Sequence, residues 1–426
     1  MRVVVHNPSP YSYSNVDFRC RVSKLEISTR KELVYEVYGK GRKGNASAKG
    51  LRSGAKRAIV EINRFADGPN VMWGAQAQSI SWVTKGEKVD SGNWYLPVLA
   101  SDYGTSFVVV GEGSTETEAH LKDQTAVYPD SVNPTTLTWA GTYTSDYTTG
   151  HAPSVALTTE NLYPIYLDAA VEVHQGGQDG GAALWSHIAV TSISISATLT
   201  WTNGDQYDTG YNPKVAIDPY QSYNIDDNFS TVVEVHQAGP NTSDLWYHVG
   251  TLKAANYTGQ VALTWGPSYQ FDYGYVPSVG VCGGVAVEVH EGDSGSLWYS
   301  IGMVNGDQVS WSGSVQYDSG RNPSVSMCGA PGYLVEVHQG GAPSTGKSTS
   351  LWYHVSEYTS SAVTWEPAVQ YSTGCYPTAT STQANLIVSD PLVVETHAGA
   401  CGVAAPLYYD LGSVTPTGSP NSATTP

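Results

Sequence analysis

The sequence predicts an all-β fold built as a ring of four-stranded antiparallel modules, and three observations point there. The first is an internal repeat. Val335-Glu336-Val337-His338-Gln339, Leu351-Trp352-Tyr353-His354, Val363-Thr364-Trp365 and Gln370-Tyr371-Ser372-Thr373-Gly374 follow one another, and Val287-Glu288-Val289-His290, Leu297-Trp298-Tyr299, Val309-Ser310-Trp311 and Tyr317-Asp318-Ser319-Gly320 keep the same order upstream. The second is composition. Charged residues are 14% of the chain, against roughly a quarter in average proteins. The 44 Gly, 29 Tyr and 12 Trp instead favour short strands joined by tight turns. The third is alternation: each cycle of roughly 46 to 64 residues holds four short period-two runs bounded by Gly, Pro, Asn or Ser.

Four strands per cycle match the blade of a β-propeller, and one blade cannot bury both its faces, so the cycles must stack around an axis. A Gly-bearing turn closes each cycle, at 38–41, 90–92, 147–150, 207–210, 272–274, 317–320 and 371–374. The expectation is therefore seven blades over residues 28–412, with strands from both chain ends completing one sheet. An eighth blade would take residues 1–27 as one half, but no Trp or Tyr-x-x-Gly turn follows Gly412 to supply the other. A solenoid would show shorter repeats and polar capping units. Residues 1–27, in which Val3-Val4-Val5-His6 faintly echoes the repeat, form an extension or a latch strand. Residues 413–426, rich in Pro, Ser and Thr, are expected to be a disordered tail.

The formal net charge of -17 argues against a nucleic-acid binder, because neutralising phosphates needs a basic surface. The charge is uneven. Residues 1–64 hold 14 of the 21 Lys and Arg with five carboxylates, a net of +9, which leaves -26 for the rest. The simplest account is a basic segment facing an acidic body. The five cysteines are too few and too irregular for a disulfide framework or a zinc motif. Cys282 and Cys328 follow matching Pro-Ser-Val segments and so should occupy equivalent places, and free buried thiols are expected. No apolar run is long enough to span a membrane, and the amino terminus lacks an apolar stretch of signal-peptide length. That leaves a cytoplasmic place or a non-conventional release route, and it leaves homo-oligomerisation open.

Chemistry enters through the repeated polar residues. In Val171-Glu172-Val173-His174 alternation sends Glu172 and His174 to one strand face, and the same holds for Glu234 with His236, Glu288 with His290 and Glu336 with His338. Buried between blades, these groups must find partners, so one reading is a hydrogen-bond network pinning blade to blade. The other is an open groove. Trp185, Trp246, Trp298 and Trp352 fall where an indole can cover the C–H face of a pyranose while carboxylate and imidazole bond its hydroxyls. The second tryptophan series, Trp201, Trp265, Trp311 and Trp365, reads as packing. In Tyr207-Asp208-Thr209-Gly210-Tyr211-Asn212-Pro213 the Asp can bond nearby amides, Gly210 can take a positive φ, and Asn212, like Asn322, sits where a rim loop meets a ligand.

A metal site is not expected, because a zinc ion gathers three or four ligands whereas the Glu-x-His pairs are spread around a ring. No cofactor motif is present. Catalysis has little support: there is no Gly-x-Ser-x-Gly elbow, no phosphate loop and no pair of carboxylates apart from the repeat.

Taken together, Val-Glu-Val-His-Gln, Leu-Trp-Tyr-His-Val and Tyr-Asp-Ser-Gly-x-Asn-Pro-Ser-Val resemble the repeats of the Photorhabdus-type seven-bladed β-propeller lectins, well over residues 140–412 and poorly over 28–139. The resemblance implies non-catalytic binding of L-fucose and related glycans or glycoconjugates at shallow sites between blades. Asn63 and Gly111 replace the His in the first two cycles, and the basic segment has no counterpart in the pattern. A protein-interaction scaffold using the rim, and a degenerate glycan-processing enzyme, are the competing functional classes.

Overall fold

The computed structural model describes residues 77–416 apart from 103–105, 115–118, 128–135, 140–145, 163–164, 178–181, 193–198, 219–228, 256–259, 328–331, 343 and 383–390, together with Glu26–Ile27 and Ala58–Ile59. The chain divides into two compact units, Met1–Asp67 and Gly68–Pro426. In the first, β1 (Glu26–Ile27) pairs antiparallel with β2 (Ala58–Ile59). Described residues of the second are strands and turns with a single 3-10 turn at Asp293–Gly295, and no helix among them is long and apolar enough to cross a membrane.

Six antiparallel modules follow in chain order. Module 1 takes the end of β3 (Ala77–Ser101), then β4 (Ser106–Glu112), β5 (His120–Val127), β6 (Thr138–Trp139) and β7 (Asp146–Thr149). Module 2 is β8 (His151–Leu162), β9 (Ile165–Gln175), β10 (Ala183–Ser192) and β11 (Asp205–Thr209). Module 3 is β12 (Tyr211–Ile217), β13 (Phe229–Gln237), β14 (Asp244–Ala255) and a fourth strand broken into β15 (Gln260–Trp265) and β16 (Tyr269–Tyr273), both paired with β14. Module 4 repeats this with β17 (Tyr275–Cys282), β18 (Val285–Glu291), β19 (Ser296–Asn305), β20 (Gln308–Trp311) and β21 (Val315–Ser319). Module 5 has β22 (Arg321–Met327), β23 (Tyr333–Gln339), β24 (Thr349–Tyr358), β25 (Val363–Thr364) and the start of β26 (Val369–Ser381). Module 6 uses the rest of β26, β27 (Leu392–Ala398), β28 (Ala405–Pro416) and the start of β3, so the last strand pairs with the first long one. The first strands β3, β8, β12, β17, β22 and β26 each contact the next, and β26 contacts β3.

The core lies in the seams. Val171 and Val173 of module 2 pack with Val215, Ile217, Val232 and Leu252 of module 3, and Val233 and Val235 on the other face of module 3 pack with Val279, Val281 and Val309 of module 4. Apolar residues on both faces of β13 follow from covering it on both sides. Aromatic stacking extends each seam outwards: Tyr147 lies on Trp201 and Tyr207 on Trp265, with ring centroids 4.9 Å apart in both, Phe271 on Trp311 at 5.0 Å and Tyr317 on Trp365 at 4.0 Å. In each pair the turn of one module meets the outer strand of the next, the packing role read for this tryptophan series.

Each first strand opens on a bulge. Leu96, Ala152, Asn212, Val276, Asn322 and Tyr376 have φ between 47 and 54°, and a Pro follows each. This conformation costs non-Gly residues about 1–3 kcal/mol, so it persists only where the surroundings fix it. For five of the six, a side chain from the preceding module does so. Glu112 Oε1 accepts the Ala152 N–H at 2.8 Å, Gln175 Oε1 that of Asn212 at 3.1 Å, Gln237 Oε1 that of Val276 at 2.9 Å, Glu291 Oε1 that of Asn322 at 2.6 Å and Gln339 Oε1 that of Tyr376 at 2.8 Å.

Several sequence expectations change. Of the seven expected cycles, six correspond to modules among the described residues. The first, with its turn at 38–41, lies outside them but for Ala58–Ile59, as does the extension 1–27 but for Glu26–Ile27. The partner of β28 is β3, from the second cycle, with Ser413 opposite Ser81 and Val414 opposite Ile80. Residues 413–416, read as the start of a disordered tail, are thus strand, because a neighbour supplies their backbone partners. The rest of the tail lies outside the described residues. The thiols are not all free: Cys375 and Cys401 form a disulfide with Cα atoms 5.3 Å apart, and Cys282 is also disulfide-bonded. The bridge forms because the folded chain brings the middle of β26 beside a loop 26 residues on, a proximity that spacing alone does not reveal.

Candidate functional site

The most regular chemistry lies at the outer part of each seam, where the second and third strands of one module meet the turn of the module before. Cross-strand register builds the row: Glu234 is opposite His248 and His236 opposite Trp246, so all four project on one face, and Gln270 of the outer strand stands beside Trp246. Modules 2, 4 and 5 repeat the inner pair as His174 with Trp185, His290 with Trp298 and His338 with Trp352. Sequence alternation therefore placed Glu, His and Trp together correctly.

The preceding module covers this row. Its turn glycine passes directly over the histidine: a Cβ on Gly210 would stand 2.5 Å from His236 Cδ2 and 2.8 Å from the Gln237 carbonyl oxygen. Gly210 is not among the positive-φ residues, so close approach, and not the left-handed backbone expected from sequence, explains it. The left-handed residue is Asn212, two positions on. Under this cover Glu172, Glu234, Glu288 and Glu336 are wholly buried, and His174, His236, His290 and His338 nearly so. Each His Nδ1 meets the Glu two residues before it at 3.0–3.1 Å. These eight residues were expected against a ligand in an open groove. The structure places them behind the indole, closed in by the neighbouring turn.

Two seams add an aspartate and a second histidine. His248 Nε2 lies 2.7 Å from Asp208 Oδ2 while its Nδ1 lies 2.9 Å from the Gly266 carbonyl, and His236 Nε2 is 3.8 Å from the same Asp208 oxygen. His354 and His338 repeat this around Asp318 at 2.9 and 3.8 Å. Burial, the largest influence, pushes the Asp208 carboxyl up, yet the hydrogen bonds from His248 and the Thr209 amide outweigh it and hold the carboxyl at about 2. Burial likewise lowers His248, but Asp208, Glu234 and the Gly266 carbonyl raise it above its ordinary value overall. With both ring nitrogens facing oxygens, His248 is suited to the imidazolium form. Tyr317 donates to Glu336 Oε1 at 3.0 Å, tying the turn of module 4 to module 5.

In the Asp208, His236, His248 set and in the Asp318, His338, His354 set the ligand atoms lie within 4.8 Å of one another, so each gathers three groups from two modules. Sequence reasoning counted only the dispersed Glu-x-His pairs and missed this convergence. A cation there would have to displace the Nε2 proton that now bonds the aspartate. Asp208, Asp318 and the second histidines were legible only as a fixed Asp in the turn and a His after Leu-Trp-Tyr.

The tryptophans are the accessible part. Trp185, Trp246, Trp298 and Trp352 are half-buried, and Gln206, Gln270, Gln316 and Gln370 beside them are exposed. Trp298 Nε1 donates to Ser296 Oγ at 2.9 Å and Trp352 Nε1 to Ser350 Oγ at 3.0 Å, whereas Trp246 Nε1 has no acceptor among the described residues. Gly176, Gly292 and Gly340 lie flat against the indole edges of Trp185, Trp298 and Trp352. Module 6 carries Tyr408 at the tryptophan position, opposite His397. In module 1 Gly111 replaces the histidine, and the Trp94 ring fills the space, with Cε3 2.9 Å from where a Cβ would be. Asn212 and Asn322 are only partly exposed, and their amides donate within their own modules to Gln237 at 2.8 Å and Gln339 at 2.7 Å, the same glutamine oxygens that accept the bulge N–H of the next module.

No family model matches the chain, and no curated protein matches its sequence. Among solved structures it is similar to a protein of unknown function from Dyadobacter fermentans, at 11% identity and a TM-score of 0.47, over 79% of this chain and 99% of that one. It is also similar to an Aleuria aurantia lectin in complex with alpha-methyl-L-fucoside, at 15% identity and a TM-score of 0.45, over 78% of this chain and 99% of that one. A sialidase of Trypanosoma rangeli aligns at 8% identity and a TM-score of 0.42, over 79% of this chain and 60% of that one.

Proposed function

We propose that the chain is a multivalent, non-catalytic carbohydrate-binding protein whose contact points are the seam tryptophans. The observation that carries this is the fourfold recurrence of a half-buried indole set between a buried histidine and an exposed glutamine, at Trp185, Trp246, Trp298 and Trp352. An indole held this way offers its face to the C–H surface of a pyranose, and the glutamine amide can bond hydroxyls at the edge. Glu172, Glu234, Glu288 and Glu336, with their histidines, hold the indole and the seam in place. Fucose-type sugars are the first candidates, on the resemblance of the repeated phrases. Near-equivalent polar rows favour several weak equivalent sites over one catalytic centre, and a rigid array of such sites raises avidity roughly 100-fold or more on a glycan-coated surface.

We further propose that β28 and β3 close residues 77–416 as a six-bladed propeller. The support is the direct pairing of these strands and the unbroken succession of first strands from β3 to β26 and back. A glycan array at moderate salt tests the functional reading. Binding confined to fucosylated or related glycans is expected, whereas no glycan binding together with capture of a protein partner would favour a rim scaffold, and turnover of a chromogenic glycoside would favour an enzyme.

A further inference from the structure

One residue after the Pro of each left-handed bulge, the first strands carry Val98, Ser154, Lys214, Ser278, Ser324 and Thr378. All six line a cavity of about 140 Å³ where these strands converge. Lys214 is the one charged residue among those lining it, and it interrupts a row of hydroxyls and a valine. Partly buried there, it has no hydrogen-bond or ion-pair partner among the described residues. Burial pushes its pKa down to about 8, opposed by the charge of Glu112, whose own oxygens are held by the Ala152 amide and the His151 ring.

The neighbouring hydroxyls are preset as donors. Ser154 Oγ accepts the Val215 N–H and Ser278 Oγ the Val325 N–H, each at 3.2 Å, which leaves both hydroxyl hydrogens without an acceptor among the described residues. Ser324 and Thr378 lie 3.3 Å apart, and whichever donates to the other, one hydrogen remains. Ser154, Ser278 and Thr378 are themselves buried. No carboxylate lines the cavity. An ammonium desolvated among hydrogen-bond donors lacks the partner that buried charges normally have.

We propose that this cavity is an anion site, in which the Lys214 ammonium and the hydroxyls of Ser154, Ser278 and the Ser324–Thr378 pair hold one small oxyanion group, a phosphate, sulfate or carboxylate. The cavity is smaller than the roughly 300–1,000 Å³ of pockets for larger ligands, which points to a compact anion. The site lies on the first strands, away from the tryptophans of the third, and does not rest on the carbohydrate reading.

The test is calorimetry of the full chain at pH 7 and low salt, titrating sodium phosphate in one arm and sodium acetate in the other. Saturable binding at one site per chain is expected for at least one of them, and the stronger arm tells a tetrahedral oxyanion from a carboxylate. Lys214→Met should weaken it at least ten-fold with an unchanged circular dichroism spectrum. Should that variant fail to fold, the Ser154→Ala, Ser278→Ala double variant, which keeps the lysine, should weaken it several-fold. No saturable binding of either anion to the wild type, or undiminished binding in the folded variants, overturns the proposal.

Discussion

Gly210 of module 2 lies against the His236 ring of module 3, so close that a Cβ would stand 2.5 Å from Cδ2. The buried pair couples the turn that ends one module to the histidine at the centre of the next seam. Gly150, Gly274, Gly320 and Gly374 meet His174, His290, His338 and His397 in the same way. Gly210→Ala should force the turn off the seam and cost about 1–3 kcal/mol, the usual range for overpacking, with urea denaturation as the check. An unchanged midpoint would show that the turn shifts freely.

Gln237 is the second connection. Its buried Oε1 accepts both the Asn212 side-chain amide and the Val276 backbone N–H, at 2.8 and 2.9 Å. Gln237→Ala leaves the N–H of the strained left-handed Val276 unmatched, which should cost about 1–3 kcal/mol. Gln237→Glu keeps an acceptor and should recover part of the loss. Equal destabilisation by both would remove the hydrogen bond from the account.

The two tryptophan series should separate stability from binding. Trp265 stacks on Tyr207 and donates to Ser186 Oγ at 3.2 Å, so Trp265→Ala should destabilise by about 3 kcal/mol while sparing glycan affinity of the folded protein. Trp246→Ala, at a half-exposed position, should cost only about 1 kcal/mol and lower glycan binding. Thermal melts and glycan titrations on the same two variants give the comparison.

The buried histidines give stability a pH dependence. Burial lowers His248, His290, His338 and His397, but neighbouring carboxylates outweigh it and raise all four above 6.5. A histidine with a raised folded pKa contributes stability that is complete below its unfolded value and is lost as pH rises through the folded one. Glu288, Glu395 and Asp410, raised chiefly by burial, act in the same direction. Lys214, pushed down to about 8, opposes them only at higher pH. The melting temperature should therefore fall between pH 6 and pH 8, by about 2–4 °C for each kcal/mol lost. A rise over that interval in differential scanning fluorimetry would contradict the network.

Much of the seam was legible in the sequence. Period-two alternation put Glu234 with His236 on one face of their strand, because side-chain direction in a strand is fixed locally, and the register of β13 with β14 adds Trp246 and His248 to that face. What escaped was relational. Asp208 looks like a turn residue, and only the approach of the next module reveals that it faces His248. Gly210 looks like a conformational requirement, yet its constraint comes from a ring in another module. The strand that pairs with 405–416 could not be named from a repeat whose early copies are degenerate, and the disulfide between Cys375 and Cys401 depends on a loop whose course the repeat does not specify. Lys214 was invisible for the same reason: a lone Lys among Ser equivalents becomes meaningful only once six strands converge.

The central claim is that the four seam tryptophans are the sugar contacts. Calorimetry with methyl α-L-fucoside on the wild type and on a variant carrying Trp185→Ala, Trp246→Ala, Trp298→Ala and Trp352→Ala, its fold checked by circular dichroism, tests it most directly. The account predicts several equivalent weak sites in the wild type and none in the variant; affinity unchanged by the four substitutions would contradict it.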